Sequence, residues 1–217
     1  VDTIAGPPAS GPARIAVLAS GTGSNLLALI DAVVRGDVAA EIVGVLSDVA
    51  DAPALARAAT AGIPALAVPF DRADRAGWEE RLADAVAATG ADLVVLAGFM
   101  RILTAAFLER WPDRVVNVHP SLLPAFRGAD AVGDALAAGV QVTGVTVHLV
   151  DELVDHGPIL AQEAVDILPG DTRETLHARL HAVEHRLLPR CVDLLARGRI
   201  HVDQGHAHIA SDDRSTP

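Results

Sequence analysis

The 217-residue sequence has no tyrosine, a single methionine and a single cysteine, and only 3% of its residues are aromatic. One cysteine, Cys191, allows no intrachain disulfide, which fits a reducing compartment and an expected cytoplasmic location. Cys191 lies in an apolar helical pattern and reads as buried packing rather than a nucleophile. Basic residues are also scarce. Lys and Arg total 17 against 28 Asp and Glu, a formal charge of −11. That balance argues against nucleic acid or an anionic membrane surface as partner. No apolar run is long enough to span a bilayer. Residues 1–13 lack the basic and apolar regions of a secretion signal and are expected to be a flexible extension. The polar residues 204–217 are expected to be a second loose tail, with 14–203 as one domain between the two.

What the sequence does have is apolar residues, 51% of the total, many of them helix-favouring alanine. Residues 14–19, 41–47, 65–68 and 92–97 read as strands. Between them, 25–35, 53–60, 78–89 and 104–109 read as helices. This alternation predicts an α/β fold with a doubly wound, mostly parallel, Rossmann-like sheet. The second half differs. A helix is expected over 129–138, then strands over 142–150 and 159–165 joined only by a loop, which makes that portion antiparallel. A long helix over 171–196 follows, with Asp171 or Thr172 as N-cap and Pro189 as a place for a kink.

Four stretches carry chemistry. Residues 20–25, Ser-Gly-Thr-Gly-Ser-Asn, end the first strand and open the first helix, where free backbone N–H groups and a helix dipole favour an anion. The pattern is neither the dinucleotide fingerprint nor a Walker loop, so a phosphate on a small molecule is the expected ligand; a plain turn is the competing reading. Asn117 and His119 alternate with valine at a strand end closed by Pro120, so both point to one face. An amide and an imidazole there suit an oxygen that gains negative charge. The acidic loop 151–158 joins two strands and would bring a carboxylate near that imidazole, able to favour its protonated form or take a proton. On its own it would be a solvated turn. Residues 98–103, Gly-Phe-Met-Arg-Ile-Leu, end the strand before Asn117, where apolar side chains and free backbone groups suit a flat heteroaromatic ligand. His148 sits in an apolar strand and reads as structural. His177, His181 and His185 share one helix face, but without His-Glu-x-x-His or a cysteine cluster no metal is expected. His201, His206 and His208 read as solvated.

Taken in order, Ser-Gly-x-Gly-Ser-Asn, Gly-Phe-Met-Arg-Ile-Leu, Asn-x-His-Pro-Ser-Leu-Leu-Pro and Asp-x-Gly-Pro resemble the folate-dependent phosphoribosylglycinamide formyltransferases over about residues 14–202. The resemblance implies formyl transfer from 10-formyltetrahydrofolate to 5-phosphoribosylglycinamide in purine synthesis, with no metal. It implies a catalytic set of Asn117, His119 and Asp155. Gly21, Thr22, Gly23, Ser24 and Asn25 would hold the substrate phosphate, and Glu184 the glycinamide end. Met100, Arg101, Ile102 and Leu103, with Val150, Asp151, Glu152 and Asp155, would line the folate site, and Arg75 would lie near the folate glutamate. A homodimer is compatible with the resemblance.

Two positions depart from that pattern. Asp130 stands where histidine is expected, and Gly133 where many relatives carry arginine. A carboxylate at 130 would repel an anionic ligand. Arg127-Gly128 is similar to formyltransferases acting on methionyl-tRNA or amino sugars, but the short chain and its charge argue against tRNA. A folate deformylase would share the Asn/His strand, and a non-catalytic phosphate-binding module would share the glycine loop.

Overall fold

The apolar runs of the first half become inner strands whose successive residues feed opposite faces of one sheet. The computed structural model describes residues 11–210. In it β1 (Ala13–Leu18) sends Ile15 and Val17 into one core and Ala16 and Leu18 into the other. β4 (Leu93–Leu96) divides Leu93 and Val95 from Val94 and Leu96 in the same way. Covering both faces removes any polar alternation, so these strands read as continuous apolar sequence.

The first core lies under α1 (Ser24–Val34), α2 (Pro53–Thr60) and α6 (Arg173–Ala196), which contribute Leu26, Leu29, Ala54, Leu176, Leu180 and Leu188. The second lies under α3 (Arg75–Ala88) and α4 (Ala105–Leu108), with Trp78, Leu82 and Phe107. Each large apolar side chain fully buried here contributes about 1.5–3 kcal/mol. Cys191 is buried in the first core, which pushes its thiol up to about 12.

The remaining strands of the seven-stranded sheet are β2 (Ala40–Ser47), β3 (Ala65–Ala67), β5 (Val115–His119), β6 (Val142–Leu149) and β7 (Ile159–Asp166). They run in the order β3-β2-β1-β4-β5-β6-β7. The strands from β3 to β5 pair in parallel, while β5–β6 and β6–β7 are antiparallel. This is the mostly parallel α/β architecture expected from the sequence. Strand order reverses between β1 and β4, and a crevice opens beyond the carboxyl ends of strands at such a point. Ser20 and Gly98 meet there, the Ser20 N–H donating to the Gly98 carbonyl at 3.0 Å.

Several boundaries differ from expectation. α3 starts at Arg75 rather than at 78, because the Asp74 side chain caps it by accepting from the Gly77 N–H at 3.0 Å. The helix expected over 129–138 is α5 (Ala131–Ala138), capped by Asp130. Thr172 caps α6 in a reciprocal box with Thr175, whereas Asp171 turns to Arg179. α6 continues through Pro189. The stretch from Gln204 is not a loose tail as far as it is described. β8 (Ile200–Asp203) and β9 (His206–Ile209) form a hairpin, with Ile200 buried in the first core. Residues 1–10 and 211–217, most of the two expected extensions, lie outside the described residues. Among the described residues no helix is long and apolar enough to cross a membrane.

Candidate active site

β5 sends Val116 and Val118 into the first core, which leaves Asn117 and His119 on the opposite face at the strand end. Antiparallel pairing with β6 sets His148 directly opposite Asn117. Directly paired residues share a face, and here the side chains meet, with Asn117 Nδ2 3.2 Å from His148 Nε2. His148 Nδ1 lies 2.8 Å from the Leu149 carbonyl, which can only accept, so Nδ1 carries the proton. Burial holds the His148 pKa down, against the opposing pull of that carbonyl and of Asp155. A neutral His148 therefore accepts from the Asn117 amide through Nε2. That contact fixes the amide and leaves its second N–H for a ligand.

His119 is buried and its Nε2 donates to the Phe126 carbonyl at 2.8 Å. Its other nitrogen, Nδ1, lies 3.4 Å from Asp155 Oδ2. The acidic loop thus delivers its carboxylate to the imidazole from across the sheet edge. Asp155 sits at φ 49, a left-handed conformation that Asp tolerates better than most residues, and its Oδ2 also accepts from the Gly128 N–H at 2.8 Å. His148 Nε2 is 3.7 Å from the other carboxylate oxygen.

These side chains line a cavity of about 470 Å³ together with Met100, Arg101, Ile102, Leu103, Val150 and Asp151. Met100 and Ile102 are 66% and 56% exposed, so this edge presents apolar surface to the opening. Its backbone is braced: the Met100 N–H donates to Ser20 Oγ at 2.9 Å, and Ser20 Oγ donates to Asp48 at 2.5 Å. Arg101 lines the cavity, but its guanidinium is held by Asp48 at 2.6 Å and lies over the Phe70 ring at 4.0 Å. Asp151 is tied to His156 Nδ1 at 2.7 Å.

Not every residue named from the sequence lines this cavity. Arg75 donates to the Ile102 carbonyl at 3.0 Å and borders a separate depression with Glu79, Thr104 and Arg110. Glu152 is exposed and outside the lining. The glycine loop and Glu184 are also outside it, but they are joined to each other. Asn25 Nδ2 donates to Glu184 Oε2 at 2.7 Å, and both residues are buried. Burial pushes the Glu184 carboxyl up, opposed by the Asn25 bond. Gly23 takes φ 74, and a Cβ there would come within 2.9 Å of Ala54, so glycine is required. The loop leans on α2 through Gly21 and Thr22, whose carbonyls accept from Ala54 N–H and Arg57 Nε. No side chain caps α1, so its first N–H groups and positive dipole end are open to an anion.

The cavity also takes in His148, Gly128, Arg173 and His177, which the sequence did not mark as site residues, and Asp130, which it marked only as a departure near the ligand. His177, His181 and His185 stack along α6, with ring centroids 4.0 and 5.7 Å apart, and burial lowers all three pKa values. Among the described residues no three metal-ligating side chains converge.

The formyl transferase family model matches residues 13–192. The chain belongs to that family. The phosphoribosylglycinamide formyltransferase of Mycobacterium tuberculosis is 52% identical over 190 residues, 87% of each chain. The crystal structure of glycinamide ribonucleotide transformylase 1 from Symbiobacterium toebii superposes with a TM-score of 0.89 at 44% identity, covering 92% of this chain and 95% of that one. A formyltetrahydrofolate deformylase from Pseudomonas syringae pv. tomato shares the fold at TM-score 0.87 and 28% identity. That match covers 94% of this formyl transferase but 67% of the deformylase.

Proposed function

We propose that the protein transfers the formyl group of 10-formyltetrahydrofolate to the amine of 5-phosphoribosylglycinamide, a step of purine biosynthesis. The observation that carries this reading is the convergence of Asn117, His119 and Asp155 in one cavity with the apolar, backbone-rich edge at Met100–Leu103, in a chain whose glycine loop opens an uncapped helix. The edge at Met100–Leu103 receives the pterin of the folate, with Val150 and Asp151 on its other side and Arg75 toward the glutamate. The glycine loop, residues 21–25, takes the phosphate. Glu184, bonded to Asn25, faces the glycinamide end.

In the reaction the amine nitrogen attacks the formyl carbon and the carbonyl oxygen becomes an oxyanion. The free N–H of Asn117 and a protonated His119 Nδ1 stabilise that charge. The bond from the formyl carbon to the folate nitrogen then breaks, and that nitrogen gains a proton as the amine loses one. Asp155, beside His119 Nδ1, organises this exchange through water. Both substrates supply all the reacting atoms, so the residues need only position, polarise and move a proton. A lone buried thiol suits a cytoplasmic setting.

Incubation with 10-formyltetrahydrofolate, with and without the amine, tests the proposal. Tetrahydrofolate is expected to form only when 5-phosphoribosylglycinamide is present. Equal release without the amine would mean a deformylase.

A further inference from the structure

Asp130 and Gly133 form one contact. The Asp130 carboxylate accepts from the Gly133 N–H at 3.1 Å and caps α5. It lies where a Cβ of residue 133 would stand, within 2.6 Å, so glycine leaves the room this cap occupies. The same carboxylate forms an ion pair with Arg173, the first residue of α6. The sequence contains no lysine, and of the two arginines lining the cavity Arg101 is committed to Asp48. Arg173 is thus the cavity-lining guanidinium that pairs with Asp130.

We infer that Asp130 and Arg173 are a positioning pair for the phosphoribosyl amine, a clasp between the first turns of α5 and α6 that also cancels a carboxylate at the rim. This rests on the function proposed above. Stability alone does not account for the pair, since its side chains are 50% and 56% exposed and such pairs stabilise little. Its effect falls on the ligand. A bare carboxylate at the wall repels a phosphorylated substrate, and Arg173 removes that repulsion. The clasp also fixes the start of α6, the helix that carries His177 into the cavity and Glu184 to the glycine loop.

The test is a cycle of Asp130→Asn, Arg173→Gln and the double variant. Asparagine caps a helix as well as aspartate, so Asp130→Asn removes the charge and keeps α5. Arg173→Gln is expected to raise KM for the phosphoribosyl amine about three- to fivefold at low salt, with kcat and the folate KM unchanged. Adding Asp130→Asn is expected to restore most of that loss, and raising the salt to shrink it. A KM increase that is the same in both backgrounds, or indifferent to salt, overturns the clasp. Titration calorimetry with 5-phosphoribosylglycinamide alone reads the same pattern in Kd. A wild type that binds the amine without formylating it rejects the reaction but leaves the clasp testable by Kd. A wild type that does not bind it overturns both.

Discussion

Replacing Asp155 by Asn tests the proposed proton exchange most directly. The substitution keeps the size of the side chain, and asparagine tolerates the left-handed backbone at φ 49. The surviving amide oxygen can still accept from the Gly128 N–H, so the loop keeps its anchor. What disappears is a unit charge 3.4 Å from His119 Nδ1. Against a protonated imidazole at that separation, the attraction is about 1.2 kcal/mol in a water-like medium and about 5 kcal/mol at an effective dielectric of 20. The Asp155 side chain is only 12% exposed, which puts the true value toward the upper part of that range. Loss of a proton-transfer group by itself costs about 10²–10⁴-fold. We therefore expect kcat to fall about 100- to 1000-fold. Both KM values should stay within about twofold, since no ligand-facing apolar group changes. Single-turnover transfer from 10-formyltetrahydrofolate measures the chemical step, and a thermal melt checks that the variant is folded. A folded Asp155→Asn protein with kcat within about threefold of wild type would refute the assignment.

Gly23→Ala forces a side chain into the left-handed region and against Ala54, a strain of about 1–3 kcal/mol. Calorimetry should show affinity for the phosphoribosyl amine falling about tenfold or more, and an unchanged Kd would separate the loop from the phosphate. Stability should also depend on pH. His148, His177, His181 and His185 all have folded pKa values below 6.5, chiefly because burial disfavours their charged forms. As pH falls below 6.5 the unfolded chain takes up those protons first, so stability present above 6.5 is lost on acidification. Glu184 works in the opposite sense, its raised pKa favouring the folded state as pH falls toward 4.5. Urea midpoints measured from pH 8 to pH 5 should decline, with one carboxyl offsetting part of four imidazoles; a flat profile would contradict the buried neutral state.

Much of the sheet was readable because covered strands and alanine-rich helices leave long, distinct signatures. The shared face of Asn117 and His119 followed from the two-residue repeat of a strand. The partner of Asn117 did not. His148 looks structural in isolation, and its position is decided by the register of β6 on β5, which only the folded sheet sets. The bond from His119 to the Phe126 carbonyl was hidden for the same kind of reason, since it depends on the path of a loop. Asp74 and Asp130 could have been read as caps from Asp-x-x-Gly, a local signal that the apolar pattern overshadowed. The β8–β9 hairpin is short and polar, and its signal lies mainly in Gln204-Gly205, a turn dipeptide between two weak strands. Arg173 carries no local signal, because its partner lies on another helix.

The Asn25–Glu184 bond spans 159 positions of the chain. Ribosomes add on the order of 5–20 residues per second, so the two partners emerge roughly 8 to 30 s apart. Through that interval the glycine loop exists without the carboxylate that orders its asparagine. A half-made chain therefore has the proposed phosphate loop but not the group that holds its asparagine in place. If this loop holds the ribotide as proposed, competence to capture it arrives late in synthesis, after α6 has docked, and a truncated product of translation would leave the substrate pool untouched.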